Sequence, residues 1–214
     1  PVFSGKRSDL DAVKEAIEGG ASLQDIRKLH SSAFSRHRQW CVEYHNDCSP
    51  VPVIPDHPLR PWQKNLEEVL DGPIDDRSIY FIVDEDGNGG KSWFSEWYRQ
   101  KHPRDTIKVR PGKKADMVAA ATSYGFHPRV LILDAPRSKQ SRKSGSDDVE
   151  SALMYDFLEE TKDGEILSSK YGSYMWRFKK PHVVVMTNIE PDMAKLSLDR
   201  YRIITVSNSF NPEN

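Results

Sequence analysis

Gly87-Asn88-Gly89-Gly90-Lys91-Ser92 is the stretch of this 214-residue chain whose residue types and spacing point most directly to chemistry. Glycines let consecutive backbone N–H groups curl around phosphate oxygens, and a following helix N-terminus adds a favourable dipole. The Lys91 ammonium would reach the β- and γ-phosphates, and the Ser92 hydroxyl would take Mg²⁺. The context fits, because the apolar run Ile79 to Val83 precedes the turn and Trp93 to Gln100 reads as a helix. The strict pattern wants a glycine five residues before Gly90, where Glu85 stands, so the first glycine is Gly87. A tight loop with no ligand would use the same glycines.

Three further groups lie beside apolar runs. Val130 to Leu133 ends in Asp134, 42 residues after Ser92, where an acid would hold Mg²⁺ through water. His182 to Met186 ends in Thr187-Asn188, and an amide there can hydrogen-bond both an attacking water and a γ-phosphate without adding negative charge; a turn-forming Asn would look the same. Arg200 and Arg202 stand just before the last apolar run, where a guanidinium from a neighbouring subunit could stabilise transition-state charge or simply pair with Asp199.

Basic and aromatic residues interleave from Gly164 to Lys180, with Lys170, Arg177, Lys179 and Lys180 among Tyr171, Tyr174, Trp176 and Phe178. Such a hairpin suits phosphate contact and base stacking. The alternation of Tyr174, Trp176 and Phe178 reads first as one packed face. A second basic cluster, Arg137, Lys139, Arg142 and Lys143, sits in a Ser-rich loop.

The elements that must position these groups alternate. Strands are expected at 79–83, 106–109, 130–133, 183–186 and 203–206, with helices at 92–100, 115–123 and 149–161. Apolar runs without polar alternation suit strands covered on both faces, which gives an α/β fold around a mainly parallel five-stranded sheet whose ligand crevice lies at the strands' carboxyl ends. Residues 1–48 read as a small all-α unit, with capping-box starts at Ser8 and Ser22, the second helix continuing through Phe34 and a third including Trp40, Cys41 and Tyr44. Residues 49–61, with Pro50, Pro52, Pro55, Pro58 and Pro61, form a stiff linker, and 62–214 are the main domain, opened by a helix from Trp62 to Leu70.

Composition is that of an ordinary globular chain, 37% hydrophobic and 29% charged with net charge −1, which implies neither disorder nor a bulk polycation. Cys41 and Cys48 flank His45 at a spacing that makes neither a CxxC metal pair nor a disulfide framework. No run of roughly 18 apolar residues is present and the polar start lacks a signal-peptide core, so an intracellular, soluble protein with no membrane partner is expected.

Together these segments resemble the superfamily 3 helicase domain of the replication initiator, Rep, of circular single-stranded DNA viruses, the CRESS-DNA group that includes circoviruses and nanoviruses. The resemblance rests on Arg60-Pro61-Trp62-Gln63 at the domain entry, Gly87 to Ser92 as Walker A, Leu133-Asp134-Ala135-Pro136-Arg137 as Walker B and Val184 to Asn188 as motif C. Ser168-Ser169-Lys170-Tyr171-Gly172 resembles motif B′, a hairpin loop on single-stranded DNA, and Asp199-Arg200 the arginine-finger element. Gly5 to Leu10 is similar to the start of the family's oligomerisation helices. The resemblance implies an AAA+-like P-loop ATPase using ATP and Mg²⁺ as a homo-oligomeric ring, a hexamer, with Lys91, Asp134, Asn188 and Arg200 in catalysis and Lys170, Tyr171 and Lys179 on DNA. It also implies a host-nucleus location. The family's nicking nuclease is recognised by a His-hydrophobic-His motif and a nucleophilic tyrosine; no His-x-His pair occurs, so no nicking activity is expected of this stretch. Ala135 departs from the second Walker B acid and leaves the water-activating base unassigned, with Asp84, Glu85 and Asp86 as weaker candidates. The rival readings are a small-molecule P-loop kinase and a non-catalytic DNA-binding assembly module.

Overall fold

The computed structural model describes residues 8–135, 146–169 and 173–206, with side chains left out over 146–153. These residues divide into two compact units at the Val53–Ile54 junction. The first contains α1 (Ser8–Glu18), α2 (Leu23–Leu29), α3 (Ser31–Arg36) and α4 (Arg38–Cys48). Its small core is Val13, Ile17, Ile26, Ala33 and Cys41.

Ser22 caps α2 as its spacing predicts: its hydroxyl accepts from the Asp25 N–H, while the Asp25 carboxylate accepts from the Ser22 N–H. The helix does not run on to Phe34. At His30 the backbone leaves the helical region (φ −121°, ψ 41°), which separates α2 from α3, and each helix gives one residue, Ile26 and Ala33, to the same core. Cys41 is buried and Cys48 exposed, both as free thiols.

The second unit begins earlier than the proline count suggests. The Ile54 N–H donates to the Gln100 Oε1 at 3.2 Å and the Trp93 indole N–H to the Pro55 carbonyl at 3.2 Å. The Trp97 indole N–H reaches the Asp56 carboxylate at 3.1 Å. The later part of the proline segment is therefore strapped to this unit. Pro61 opens α5 (Pro61–Asp71) at the first helical position, where its fixed φ suits the turn and no N–H is missed.

The elements that follow are β1 (Ile79–Val83), α6 (Lys91–Lys101), β2 (Thr106–Val109), α7 (Lys114–Thr122), β3 (Val130–Asp134), α8 (Ser146–Asp163), the hairpin β4 (Glu165–Ser168) and β5 (Tyr174–Arg177), β6 (His182–Thr187), and β7 (Tyr201–Thr205) after a 3-10 turn at Leu198–Arg200. Five strands form one sheet in the order β2-β3-β6-β1-β7, every neighbouring pair parallel. The inner strands β1, β3 and β6 are mainly apolar because both faces are covered, whereas the edge strands β2 and β7 carry Lys108 and Arg202. Phe81, Leu133 and Val185 belong to the core shared with Met117 and Phe157 of α7 and α8, whereas Ile82, Ile132 and Val184 belong to the core shared with Leu66 and Phe94 of α5 and α6. Among the described residues, no helix is long and apolar enough to cross a membrane.

Candidate nucleotide site at the carboxyl edge of the sheet

Parallel pairing puts the last residues of β1, β3 and β6 along one edge of the sheet. Val83 stands beside Thr187 and Asp134 beside Met186, so the glycine turn, Asp134 and Asn188 leave three adjacent strands side by side. The sequence predicts this convergence, and the register delivers it.

The glycine turn is held from outside by α5 and its cap. The Trp62 indole N–H donates to the Gly89 carbonyl at 3.1 Å, the Gln63 amide to the Gly90 carbonyl at 3.3 Å, and the Arg60 guanidinium to the Asn88 carbonyl at 3.2 Å. Three consecutive carbonyls are thereby turned towards α5, which fixes the orientation of the loop's peptides. The Arg-Pro-Trp-Gln segment, which the sequence offers only as a domain-entry motif, is thus a brace. Gly90 caps α6 at φ 86°, and a Cβ there would meet the Gln63 amide nitrogen at 2.9 Å. At Gly89 a Cβ would lie 2.6 Å from both an Asp84 carboxylate oxygen and a Val206 methyl. Neither glycine has room for a side chain.

Asp84, the residue after β1, folds its carboxylate back into this loop. It accepts from the Gly87 N–H at 2.9 Å, the Gly89 N–H at 2.8 Å and the Lys91 ammonium at 2.9 Å. The pair is buried, with the Asp84 side chain 1% exposed and that of Lys91 9%. Burial pushes the Asp84 carboxyl up, but the hydrogen bonds from Lys91 and the two glycines outweigh it and hold the group below the ordinary carboxylate value. The loop therefore already cradles an anion supplied by the chain. The first-turn N–H groups of α6, including those of Lys91 and the exposed Ser92, have no intrahelical acceptor, so the helix adds its positive end here.

Asp134 also has a cationic partner. The Lys108 ammonium, at the end of β2, stands 3.0 Å from its carboxylate and 3.7 Å from that of Glu96, which Arg99 pairs in turn. Lys108 borders an open pocket of about 640 Å³ shared with Arg99, Arg110 and Tyr124, so its side chain has space if Asp134 takes another partner. Sequence reasoning passed over Lys108; its only signal was a lone cation at a strand end beside Asp134. Asn188 donates its side-chain amide to the Asp84 carbonyl, and the Asp84 N–H donates to the Thr187 carbonyl at 3.1 Å, which ties the end of β6 to the loop. Ala135 is buried at 7% exposure, with its N–H on the Met186 carbonyl. No group of three His, Cys, Asp or Glu side chains gathers among the described residues.

Arg200 is not brought to this edge. β7 pairs with β1 in parallel with Tyr201 beside Ile79, so Arg200 precedes the strand at the opposite, amino-terminal edge. Its guanidinium is buried, 3.1 Å from Asp163 and 3.5 Å from Glu159 at the end of α8. As placed it is an ion-pairing residue within its own chain, and donation to a neighbour would require breaking both pairs. Arg202 is the exposed arginine of the two.

The hairpin forms as expected, with Ile166 opposite Trp176 and Ser168 opposite Tyr174. Trp176 and Phe178 lean on the core, their rings 4.4 Å apart, so packing accounts for that pair. Tyr174 is instead 48% exposed, and Lys179 is exposed. Lys170 and Tyr171, and the basic cluster Arg137, Lys139, Arg142 and Lys143, lie outside the described residues.

An all-parallel sheet, a glycine turn feeding a helix N-terminus around a lysine, and an acid ending the strand two places away define a P-loop nucleotide-binding fold. No protein-family model matches the chain. Curated relatives do. The Para-Rep C2 of the Milk vetch dwarf C2 alphasatellite is 32% identical over 211 residues, 95% of this chain and 64% of that protein. The Para-Rep C1 of the Faba bean necrotic yellows C11 alphasatellite is 32% identical over 170 residues, 76% of this chain and 51% of that protein. The Para-Rep C10 of the Milk vetch dwarf C10 alphasatellite is 30% identical over 152 residues, 70% and 49% of the two chains. The chain is thus similar to alphasatellite Rep proteins, at 30–32% identity over 70–95% of its own length. It spans about half the length of the latter two relatives. Among solved structures, the Pif1 helicase of Candida albicans aligns over 71% of this chain and 40% of that one, at 13% identity and a TM-score of 0.36, a likeness that carries no argument.

Proposed function

We propose that this chain is the ATP-driven helicase or translocase motor of a rolling-circle replication initiator, of superfamily 3 type, acting on single-stranded DNA as a homo-oligomeric ring, a hexamer. The observation that carries the reading is the meeting of the glycine turn, Asp134 and Asn188 at one sheet edge, with an anion already seated in the turn. Similarity to the alphasatellite Rep proteins favours a DNA motor over a metabolite kinase. The nicking function is not expected of this stretch.

In this reading Lys91 and the N–H groups at the start of α6 bind the β- and γ-phosphates of ATP, with Gly87, Asn88, Gly89 and Gly90 shaping the cradle. Ser92 and Asp134 hold Mg²⁺, which supplies neutralisation of phosphate charge. Asn188, held beside the loop, orients the water. Arg60, Trp62 and Gln63 keep the loop's carbonyls out of the cradle. Lys170, Tyr171 and Lys179 contact DNA. A neighbour-donated arginine completes the site; Arg202, exposed on β7, is better presented for that part than the buried Arg200. ATP turnover measured with and without single-stranded DNA, alongside size-exclusion chromatography with ATP, tests the proposal. A strictly monomeric chain without DNA-stimulated turnover would refute it, and turnover that survives Lys91→Ala would remove the site from it.

A further inference from the structure

The carboxylate inside the glycine turn has a consequence for how nucleotide enters. Resting on the nucleotide-site reading, we infer that Asp84 is a built-in competitor for phosphate: it sits in the anion cradle of the empty site, and nucleotide binds by displacing it from Lys91.

Three observations carry this. Asp84 takes the N–H groups of Gly87 and Gly89 and the Lys91 ammonium, which are the donor types a phosphate needs, at 2.8–2.9 Å. The carboxylate is packed against the loop so closely that a single carbon added at Gly89 would lie 2.6 Å from it, so it fills the concave side rather than skirting it. The pair is nearly dry, with side chains 1% and 9% exposed, so a phosphate arriving at Lys91 would meet an unscreened negative charge about one hydrogen bond further on. One ammonium in a low-dielectric pocket cannot serve two such anions at equal strength. The carboxylate must swing away, and its backbone allows that without moving β1, because the Asp84 N–H and carbonyl are tied separately to Thr187 and Asn188. The rest state is then satisfied and closed to weak anions. The swap exchanges one charge-assisted contact of Lys91 for another, so affinity is lowered without loss of the cradle's shape. A residue that only held Lys91 in position would have the opposite signature, since removing its charge would weaken binding.

The test is Asp84→Asn, which keeps shape and removes charge, in the whole 214-residue chain. Binding of pyrophosphate and of ADP is measured by calorimetry in wild type, in Asp84→Asn and in Lys91→Met, with thermal melts as a folding check. Displacement predicts that Asp84→Asn binds pyrophosphate about tenfold or more tightly than wild type, and that Lys91→Met loses binding. Unchanged or weaker binding in a folded Asp84→Asn would overturn the inference and leave nucleotide binding standing. If neither wild type nor Asp84→Asn binds either ligand while both are folded, the nucleotide-site reading itself falls, and the inference with it. Should Asp84→Asn fail to fold, a crystal structure of wild type with ADP decides: a carboxylate still within hydrogen-bond distance of the Lys91 ammonium beside bound phosphate refutes displacement, and one turned away confirms it.

Discussion

Two buried lysines at opposite edges of one sheet show why burial alone does not mark a site. At the carboxyl edge, Lys91 has a buried carboxylate 2.9 Å away, in a loop whose N–H groups converge on the same point. At the amino edge, Lys162 is fully buried at the end of α8 and donates to the Pro181 carbonyl at 2.8 Å, with Asp75 and Asp76 acting only at longer range. Desolvation there brings its pKa down from the ordinary 10.5 to about 8. The first lysine is paired with something a ligand can replace. The second is tolerated by a fold that gains from the surrounding packing. Arg200 stands with the second group, buried in ion pairs at the edge away from the glycine turn.

The comparison breaks most readily at Lys91. Lys91→Ala should lower ATP turnover by on the order of 10²–10³, the scale for losing one preorganised charge contact in a dry site; steady-state ATPase assays would read it. Arg200→Ala should instead act on folding. Removing it strands Glu159 and Asp163, which are about half exposed, so a loss of about 1–3 kcal/mol is expected in denaturant melts, with ADP affinity unchanged. An Arg200→Ala chain of normal stability whose turnover alone collapses would return the residue to the catalytic group.

Lys162 predicts a pH dependence. Its folded pKa lies below its unfolded one, so between about pH 8 and 10.5 the unfolded chain holds the extra proton and stability rises with pH through that window, to at most about 3 kcal/mol. Below pH 8 both states are protonated and the burial penalty is fully felt. Melts across the window should show the rise in wild type and lose this component in Lys162→Met; an identical slope in both would show that the lysine is not desolvated. The smallest effect is expected at Lys108, whose partly exposed pair with Asp134 competes with metal. Lys108→Met should tighten Mg²⁺ binding in the presence of ADP by a few-fold, readable by calorimetric titration. Weaker metal binding would mean that Lys108 positions Asp134 instead.

Much of this was legible in the residues. The strands read at 79–83, 130–133 and 183–186 announced themselves because a parallel sheet covered on both faces demands unbroken apolar runs, and the glycine turn, Asp134 and Asn188 were found by looking just past such a run. The same rule, applied to Arg200, already contained the correction: a residue that precedes a strand of a parallel sheet lies at the edge away from the ligand crevice, so only an exposed side chain lent to a neighbour could rescue the assignment. Asp84 was named only as a weaker candidate for base, because no sequence pattern says that a carboxylate after β1 will turn back into the loop. That depends on tertiary contacts from Thr187 and Asn188, over 100 residues away. The brace from Arg60, Trp62 and Gln63 was hidden for the same reason, since side-chain donors to loop carbonyls leave no periodic trace. The break at His30 lacked the glycine or proline that would have signalled it.

The central claim, that the carboxyl edge is an ATP site coupled to DNA, is tested most directly by ATP turnover of the purified chain titrated with single-stranded DNA, with Lys91→Ala in parallel. The account predicts turnover that rises with DNA and vanishes in the variant. Turnover indifferent to DNA, or equal in both chains, would contradict it.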